Sequence, residues 1–173
     1  MLRTAFTLLG IVLVMPLQAQ ASKDSRSARA FVARFYTWYT PIAINNHSDP
    51  AFGIALKRRK EYFTPELSQA LQDDFDAQLK ANGVIVGLDG DPFLQSQAPE
   101  AHHRIGKVTP KGDGFLVNVH GVRSGKPFEH PAVIPEVRLL NGRWVFVNFH
   151  SSDGWNILDM LKTLKEKRLM EAQ

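Results

Sequence analysis

The amino-acid sequence predicts an α+β domain in which helices come first and an antiparallel sheet and a last helix follow. Apolar residues recur at helical spacing between residues 25 and 81, then alternate with a period of two between residues 102 and 150. Short turn signals, among them Asn141-Gly142, separate the alternating segments. Helices followed by strands with short connections indicate helices packed against one antiparallel sheet.

Residues 1–21 are predicted to be a signal peptide. Arg3 is its positive region, the run from Leu8 to Leu17 is its apolar region, and Ala19-Gln20-Ala21 is a small-x-small cleavage site. A membrane anchor is the alternative, but an anchor needs about 20 apolar residues, and this run is shorter and interrupted by Pro16. We therefore expect cleavage near Ala21 and a periplasmic or secreted protein with no membrane span.

The composition of the chain limits its domain size, its cysteine chemistry and its charge, but it indicates no particular reaction. Residues 22–173 have the length of one ordinary domain. The chain contains no cysteine, which excludes disulfides, thiol chemistry and lipidation at the cleavage site. With 21 basic against 17 acidic residues, the chain is only mildly basic, so its charge says little about partners.

The densest group of charges is Lys57-Arg58-Arg59-Lys60. Such a group can face phosphates or an acidic protein, and it can equally be the solvated face of a helix. Nucleic-acid sites interleave aromatic stacking residues with their cations, and none is interleaved here. We therefore interpret the group as a solvated helix face and expect no nucleic-acid partner.

The first helix is predicted from Ser25, its N-cap, to the residue before Pro41. Rings at its end occupy successive positions and cannot all point the same way, so Tyr36 or Trp38 is expected to line a groove or contact a neighbouring element. Core packing of these rings is the alternative. The apolar stripe of the helix consists of Ala28, Phe31, Val32, Phe35 and Tyr39.

A second helix is predicted from Pro50 to Tyr62 and a third from Thr64-Pro65-Glu66 to Ala81. Both start signals place a proline just after a capping residue, and Asn82-Gly83 ends the third helix. The segment from Val84 to Val86 is a candidate short strand. The buried stripe of the third helix is predicted to be Leu67, Leu71, Phe75 and Leu79, which recur at four-residue steps.

Four strands are predicted near residues 102–109, 115–123, 132–140 and 143–150, and a last helix opens at Asp153. The last two strands form a hairpin, since Asn141-Gly142 suits a type I′ turn. This pairing sets Leu139 opposite Trp144 and Val137 opposite Phe146 on the core face. A period of two adds Val133, Asn148 and His150 to the same face and places Glu136 and Arg138 on the other.

Asp89-Gly90-Asp91 with Glu100 has the acidic spacing of a calcium-binding EF-hand loop. Leu94 stands where that loop requires glycine, and Pro92 interrupts it. We therefore favour a turn in which the aspartates hydrogen-bond their own backbone.

The histidines offer a second metal hypothesis. His102 and His103 are adjacent on a predicted strand and point to opposite faces, so only one of them can join His120 and His150 in a three-histidine zinc site. A chance arrangement is the preferred interpretation in a chain with six histidines. No nucleophile elbow, phosphate loop or dinucleotide fingerprint is present. The sequence therefore predicts no metal, no cofactor and no catalytic residue.

Five short motifs lie in order along residues 22–173. They are Phe35-Tyr-x-Trp-Tyr39, Thr64-Pro-Glu-Leu67, Asp89-x-Asp-Pro-Phe-Leu-x-x-Gln97, Asn141-Gly-x-Trp144 and Leu158-x-x-Leu161-Lys162. Together they resemble the exported bacterial proteins grouped as domain of unknown function 3828. The resemblance implies a cone-like fold similar to nuclear transport factor 2 and the cystatins, with helices packed into a curved antiparallel sheet. It implies no reaction, and the cleavage-site cysteine of many members is missing here.

The cone fold also implies a place for a ligand. In related enzymes of the ketosteroid-isomerase type, the cone encloses a cavity with a carboxylate and a tyrosine at its base. A filled core is the alternative. The residues expected to reach such a cavity are Tyr36, Trp38, Tyr39, Asp89, Asp91, Asn148 and His150.

The favoured function is a non-enzymatic exported module that binds a protein or a small ligand. One alternative is an immunity or inhibitor protein against a periplasm-acting toxin, and another is a cavity enzyme acting on an apolar small molecule. The identity of the partner and the oligomeric state are not predicted.

Overall fold

The computed structural model describes residues 17–45, 50–81 and 83–171, with the side chains of residues 21–45, 50–81 and 83–171. Helices are followed by a curved, open antiparallel sheet of five strands and a C-terminal helix, which confirms the predicted α+β class. The elements are α1 (Leu17–Asn45), α2 (Ala51–Arg58), α3 (Pro65–Lys80), β1 (His102–Lys111), β2 (Gly114–Arg123), β3 (Lys126–Pro127), β4 (Ile134–Leu140), β5 (Arg143–His150) and α4 (Ile157–Glu171).

Helix α1 is longer than predicted at both ends. It begins at Leu17, before the predicted N-cap, and it continues through Pro41 to Asn45. Pro41 has no N–H to donate to the carbonyl of Thr37, and both residues are exposed, so the lost hydrogen bond costs less than it would in the core. Asn45 Nδ2 donates to the carbonyl of Pro41 at 2.9 Å and closes the last turn. The prediction that the helix ends before Pro41 is therefore wrong. Of the predicted signal peptide, residues 1–16 lie outside the described residues.

The predicted second helix is divided into α2 and a separate 3-10 turn, Lys60–Tyr62. The break is at Arg59, whose φ of −136° is not helical. The guanidinium of Arg59 lies over the rings of Trp38 and Tyr62, 5.2 Å and 5.7 Å from their centroids. Asp49, the residue before Pro50 that was predicted to cap the second helix, lies outside the described residues.

Helix α3 has the predicted start, since the Thr64 hydroxyl accepts the N–H of Leu67 at 3.3 Å. Its buried face differs from the prediction. Leu67 and Leu71 are fully buried, whereas Leu79 is 64% exposed. Four-residue steps rotate about 40° around a helix each time, so the stripe leaves the core after two steps. Asp74, seven residues after Leu67, returns to the buried face and is 3% exposed.

The sheet order is β1-β2-β4-β5, with the short β3 paired to β2, and all of these pairs are antiparallel. The β4–β5 hairpin has the predicted register, with Leu139 opposite Trp144 and Val137 opposite Phe146. Asn141 and Gly142 have φ values of 51° and 77°, as the type I′ turn requires. The hairpin prediction is confirmed at this end.

A β-bulge at Val147 changes the far end of the hairpin. Val137 pairs with Phe146, but Glu136 pairs with Asn148, so one residue of β5 has no opposite partner. The extra residue reverses the alternation, which brings Phe149 into the core at 0% exposure. Asn148 and His150 therefore leave the core face, and the prediction that they share it with Phe146 is wrong.

Helix α4 begins later than predicted. The side chain of Asn156, not Asp153, accepts the N–H of Asp159 at 3.0 Å and marks the start of the helix. Ile157 and Leu161 are buried in the core as the predicted stripe requires. The Oδ1 atom of Asn148 accepts the N–H of Leu158 at 3.2 Å, so the bulged strand also fixes the first turn of α4.

The two outer strands of the sheet carry contacts from the helical half. On β1, the guanidinium of Arg29 donates to the carbonyls of Ile105 and Gly106. On β5, the N–H of Thr64 donates to the carbonyl of Phe146 at 3.0 Å. Helix α1 therefore packs on the sheet across β1, while the start of α3 is joined to β5.

Candidate functional site

The segment that follows α3 is held by side chains of α3 and is not the candidate strand at Val84 to Val86. Gln78 Oε1 accepts the N–H groups of Val86 and Gly87 at 3.0 Å and 3.1 Å, and its Nε2 donates to the carbonyl of Val84 at 2.8 Å. Asp74 Oδ2 accepts the N–H of Leu88 at 2.9 Å. These bonds replace the ladder of a sheet, so the segment needs no partner strand.

Asp74 is the buried anchor of this segment. Its Oδ1 accepts Arg168 Nη1 of α4 at 2.6 Å, and the same Nη1 donates to the carbonyl of Val86 at 2.8 Å. A Cβ on Gly87 would lie 2.5 Å from Asp74 Oδ2, so only glycine allows this approach. The sequence reasoning missed Asp74 because it followed four-residue steps; the seven-residue spacing from Leu67 was the signal.

In the loop from Asp89 to Gln97, Asp91 hydrogen-bonds the backbone of its own turn as predicted, whereas the Asp89 carboxylate bonds a side chain. Asp91 Oδ1 accepts the N–H groups of Phe93 and Leu94 at 2.9 Å and 3.0 Å. Asp89 Oδ2 accepts Gln97 Nε2 at 3.0 Å, and the same group donates to the Asp89 carbonyl at 2.8 Å.

Two tyrosines of α1 tie this loop to the core. Tyr39 donates its hydroxyl hydrogen to Asp91 Oδ2, and Tyr36 donates to the carbonyl of Phe93 at 2.7 Å. Burial raises the pKa of both tyrosines well above the ordinary value of 10.0, and the charge of Asp91 adds to each shift. Burial also raises the pKa of Asp91, although hydrogen bonds from Tyr39, Phe93 and Leu94 oppose this.

The space between this loop and the sheet is filled by rings. Phe93 is fully buried, with its centroid 5.0 Å from that of Phe63 and 4.8 Å from that of Phe149. Phe35 stacks on Tyr39 at 5.1 Å and meets Phe146 at 4.7 Å. The hydroxyls of Tyr36 and Tyr39 and the carboxylate of Asp91 therefore lie next to Phe93 and already have hydrogen-bond partners.

An open cleft lies on the outer side of the same loop. This Asp89 cleft has a volume of about 580 Å³ and combines exposed apolar side chains with the exposed carboxylate of Asp89. Leu79 and Ile85 stand at its rim, 64% and 63% exposed. Its walls come from the end of α1, the start of α2, the end of α3 and the loop, and include Ala43, Phe52, Phe75, Gln78, Leu88, Asp91 and Gln97.

A smaller cleft of about 270 Å³ is also lined by the Asp89 loop. Its walls include Trp155, Ile157 and Met160, which follow β5. Residues beyond the hairpin therefore approach the Asp89 loop, although Asn148 and His150 themselves do not line either cleft.

Trp38, Asn148 and His150 lie apart from the Asp89 loop contacts. Trp38 is half-buried beneath the guanidinium of Arg59 and lines a separate cleft of about 440 Å³. Asn148 bonds Asn156 and the backbone at the start of α4. The structure thus brings together Tyr36, Tyr39, Asp89 and Asp91 from the predicted set and separates the other three residues.

His150 belongs to a charged group on the outer face of the sheet. Its Nε2 is 2.9 Å from Glu136 Oε2, and Lys111 Nζ is 2.7 Å from the same oxygen. Arg138 reaches the other oxygen of Glu136 at 3.2 Å. Burial by itself raises the pKa of Glu136, but the hydrogen bonds from Lys111 and His150 outweigh it and leave this pKa below its ordinary value.

The other histidines are engaged at separate places. His103 Nδ1 is 3.0 Å from the Thr40 hydroxyl on the helical side, while His120 Nδ1 is 2.9 Å from the carbonyl of Phe128. Burial lowers the pKa of His103. Within residues 17–45, 50–81 and 83–171, no three His, Cys, Asp or Glu side chains group closely enough to hold a metal ion.

Comparison with known proteins gives one structural likeness. No family model and no curated protein matches the chain. The chain is similar to a protein of unknown function from Bacteroides thetaiotaomicron VPI-5482, known from a crystal structure, with 16% sequence identity and a TM-score of 0.49 over 78% of this chain and 98% of that one. Among the helices in the described part of the chain, none has the length and apolar character needed to cross a membrane.

Proposed function

We propose that this chain is an exported, non-enzymatic binding module of the domain of unknown function 3828 type, and that the Asp89 cleft is its binding site. The observation that carries the proposal is the contrast between a ring-filled interior and an open cleft beside the same loop. A binding site needs concavity, apolar lining and a few fixed polar groups, and the cleft has all three.

The chemistry of the cleft favours a ligand with an apolar body and a cationic group. Phe52, Phe75 and Leu79 offer apolar contact, while Asp89 presents an exposed carboxylate held by Gln97. In the described part of the chain, the residues that line this cleft include no basic side chain. Such a ligand is a small organic cation or a lysine or arginine flanked by apolar residues in a partner protein.

The Tyr39–Asp91 pair supports binding over catalysis of the ketosteroid-isomerase type. A catalytic carboxylate must reach the proton it removes. Here Asp91 accepts bonds from Tyr39, Phe93 and Leu94, and the ring of Phe93 covers the pair from the core.

Calorimetric titration of the purified chain with hexyltrimethylammonium tests the proposal. Asp89→Asn should weaken binding about tenfold, because the ion pair with the cation is lost in a partly desolvated cleft. Glu129→Gln is the matched control, since Glu129 is an exposed carboxylate outside the cleft. Equal affinity of both variants and the parent, or no binding by the parent, would contradict the proposal.

A second experiment tests whether the ligand is a protein. A photo-crosslinking residue at Leu79 should capture one discrete protein from a periplasmic extract, and the same residue at Leu140 should not. Leu140 is also an exposed apolar residue, 42% exposed, but it lies at the hairpin turn. The same products from both positions would indicate nonspecific capture and count against a protein ligand at the cleft.

A further inference from the structure

A further cleft lies between α2 and α3 and differs in charge from the Asp89 cleft. Its volume is about 810 Å³, and Lys57, Arg58 and Lys60 are its charged lining residues. Ile54 and Phe75 give it apolar walls. The rings of Phe52 on α2 and Phe75 on α3 meet edge to face, with their centroids 5.5 Å apart. Phe75 lines both this cleft and the Asp89 cleft.

The positive charge of this basic cleft is not compensated. In the described part of the chain, Lys57, Arg58 and Lys60 form no ion pair with a carboxylate. Among the described residues, no acidic side chain lines the cleft, and Glu61 and Glu66 are exposed outside it. Three close cations raise the local potential and repel one another, so an anion placed among them is stabilised.

The nearby carboxylates of α3 are already engaged elsewhere. Asp73 accepts Gln69 Nε2 at 2.7 Å and Lys165 Nζ at 2.8 Å. Asp76 accepts Gln72 Nε2 at 2.8 Å. Neither carboxylate therefore pairs with the three cations of the cleft.

Helix-end electrostatics account for only part of the cluster. Lys57 and Arg58 are in the last turn of α2, where basic residues favour the helix dipole. Lys60 lies beyond the end of α2, and the dipole effect fades within the last turn. A solvated helix face also needs no concavity with apolar walls, and this cluster has one.

We propose that the basic cleft binds a free anionic amphiphile, with a single anionic head group at Lys57, Arg58 and Lys60 and an apolar body against Ile54 and Phe75. The apolar body must enter the concavity together with its head group, which favours a dissolved molecule over a lipid held in a bilayer. This inference is independent of the proposed function, because the Asp89 cleft has the opposite charge and separate charged residues.

Octyl phosphate is a suitable probe, since it carries both parts of the proposed ligand. Calorimetric titration of the purified chain should show one-to-one binding of octyl phosphate. Inorganic phosphate and octanol, which each carry one part, should bind about tenfold more weakly or not at all. Binding to phosphatidylglycerol vesicles without saturable binding of octyl phosphate would overturn the proposal in favour of a membrane surface.

Charge reversal locates the site. Lys57→Glu/Lys60→Glu should lower the affinity for octyl phosphate at least about tenfold. Lys107→Glu/Lys126→Glu changes the net charge equally at two exposed lysines on the sheet and should leave the affinity unchanged. Equal losses in both double variants would show a general charge effect and overturn the assignment.

A substitution that leaves the charge unchanged tests the apolar part of the cleft separately from its cations. Gly53 lines the cleft on α2, and a Cβ there would meet only the ring of Phe75, at 4.0 Å. Gly53→Leu therefore adds an apolar side chain beside Phe75, takes up part of the space for the apolar body and should weaken octyl phosphate binding. Unchanged binding by this variant, with a thermal midpoint no lower than that of the parent, would contradict an apolar body in the cleft.

Discussion

At the residue scale, the Tyr39–Asp91 bond is the contact that joins the Asp89 loop to α1. Tyr39 is fully buried and stacks on Phe35, so its hydroxyl is held in one direction. Asp91 uses its other oxygen for the backbone of its own loop. One carboxylate therefore shapes the loop and attaches it to the core.

Tyr39→Phe should lower the free energy of unfolding by about 1–3 kcal/mol, because it leaves a half-buried carboxylate oxygen without its hydroxyl donor. Denaturant unfolding followed by tryptophan fluorescence measures the change. Tyr36→Phe is the matched control: it removes a bond to the neutral carbonyl of Phe93 and should cost less. A larger loss in Tyr36→Phe would contradict the ranking of the two bonds.

Single residues also mark the limit of what the sequence predicts. The aspartate turn at Asp91 could be predicted because its bonds are local. The partners of Asp74 could not, since Arg168 and Leu88 are brought to it only by the packing of α3, α4 and the loop. The sequence predicted Asp89 and Asp91 as site residues, but the cleft beside them depends on the ends of three helices.

At the element scale, α1 shows that a proline can lie inside a helix that is otherwise well anchored. The helix buries Ala28, Val32, Phe35 and Tyr39 completely before it reaches Pro41. These contacts are made on the side opposite to exposed Pro41, so the missing hydrogen bond faces solvent. A rule about local breakers gave the wrong end because tertiary packing outweighed it.

Pro41→Ala should raise the free energy of unfolding by about 1–2 kcal/mol, since alanine restores a backbone donor in the last turns of α1. Chemical denaturation of the two proteins measures the gain. Pro65→Ala is the control, because Pro65 occupies the first turn of α3, where proline is well accommodated. A similar gain at both positions would show that Pro41 costs α1 no more than Pro65 costs α3.

The hairpin shows how far period-two reasoning reaches along a strand. Near the turn, the pairs Leu139–Trp144 and Val137–Phe146 follow from the turn geometry alone. Beyond Phe146 the bulge at Val147 shifts the register, and nothing in the local pattern of Val145-Phe-Val-Asn-Phe149 distinguishes the bulged residue. The predicted faces of Asn148 and His150 were therefore wrong, while the predicted bounds of β5 were right and β4 begins two residues later than predicted.

At the scale of the whole molecule, stability in acid should depend on Glu136. Its folded-state pKa is lowered below the ordinary value of 4.5 by Lys111 and His150, against the opposing effect of burial. Stability from such a group is fully present above the unfolded-state pKa and is lost as the pH falls through the folded-state pKa. The group joins β1, β4 and β5, so its loss affects the sheet as a unit.

Glu136→Gln should reduce the free energy of unfolding near neutral pH by about 1–3 kcal/mol, because Lys111 and Arg138 lose their shared carboxylate. The difference from the parent should shrink as the pH falls below about 4.5. Urea unfolding of both proteins over this range provides the test. The raised pKa of Asp91 makes its contribution to stability change with pH in the opposite direction to that of Glu136. Asp91 titrates in both proteins, so its contribution cancels in the difference between them. A difference that does not change with pH would contradict the role of the Glu136 charge.

The contacts on the two outer strands have a consequence for assembly. Another chain can extend a sheet only where an edge offers an uninterrupted row of free backbone groups. Arg29 occupies two carbonyls of β1, beside a register shift between Ile105 and Val108, and Thr64 occupies a carbonyl of β5. Polymerisation by strand addition is therefore disfavoured at both ends of the sheet.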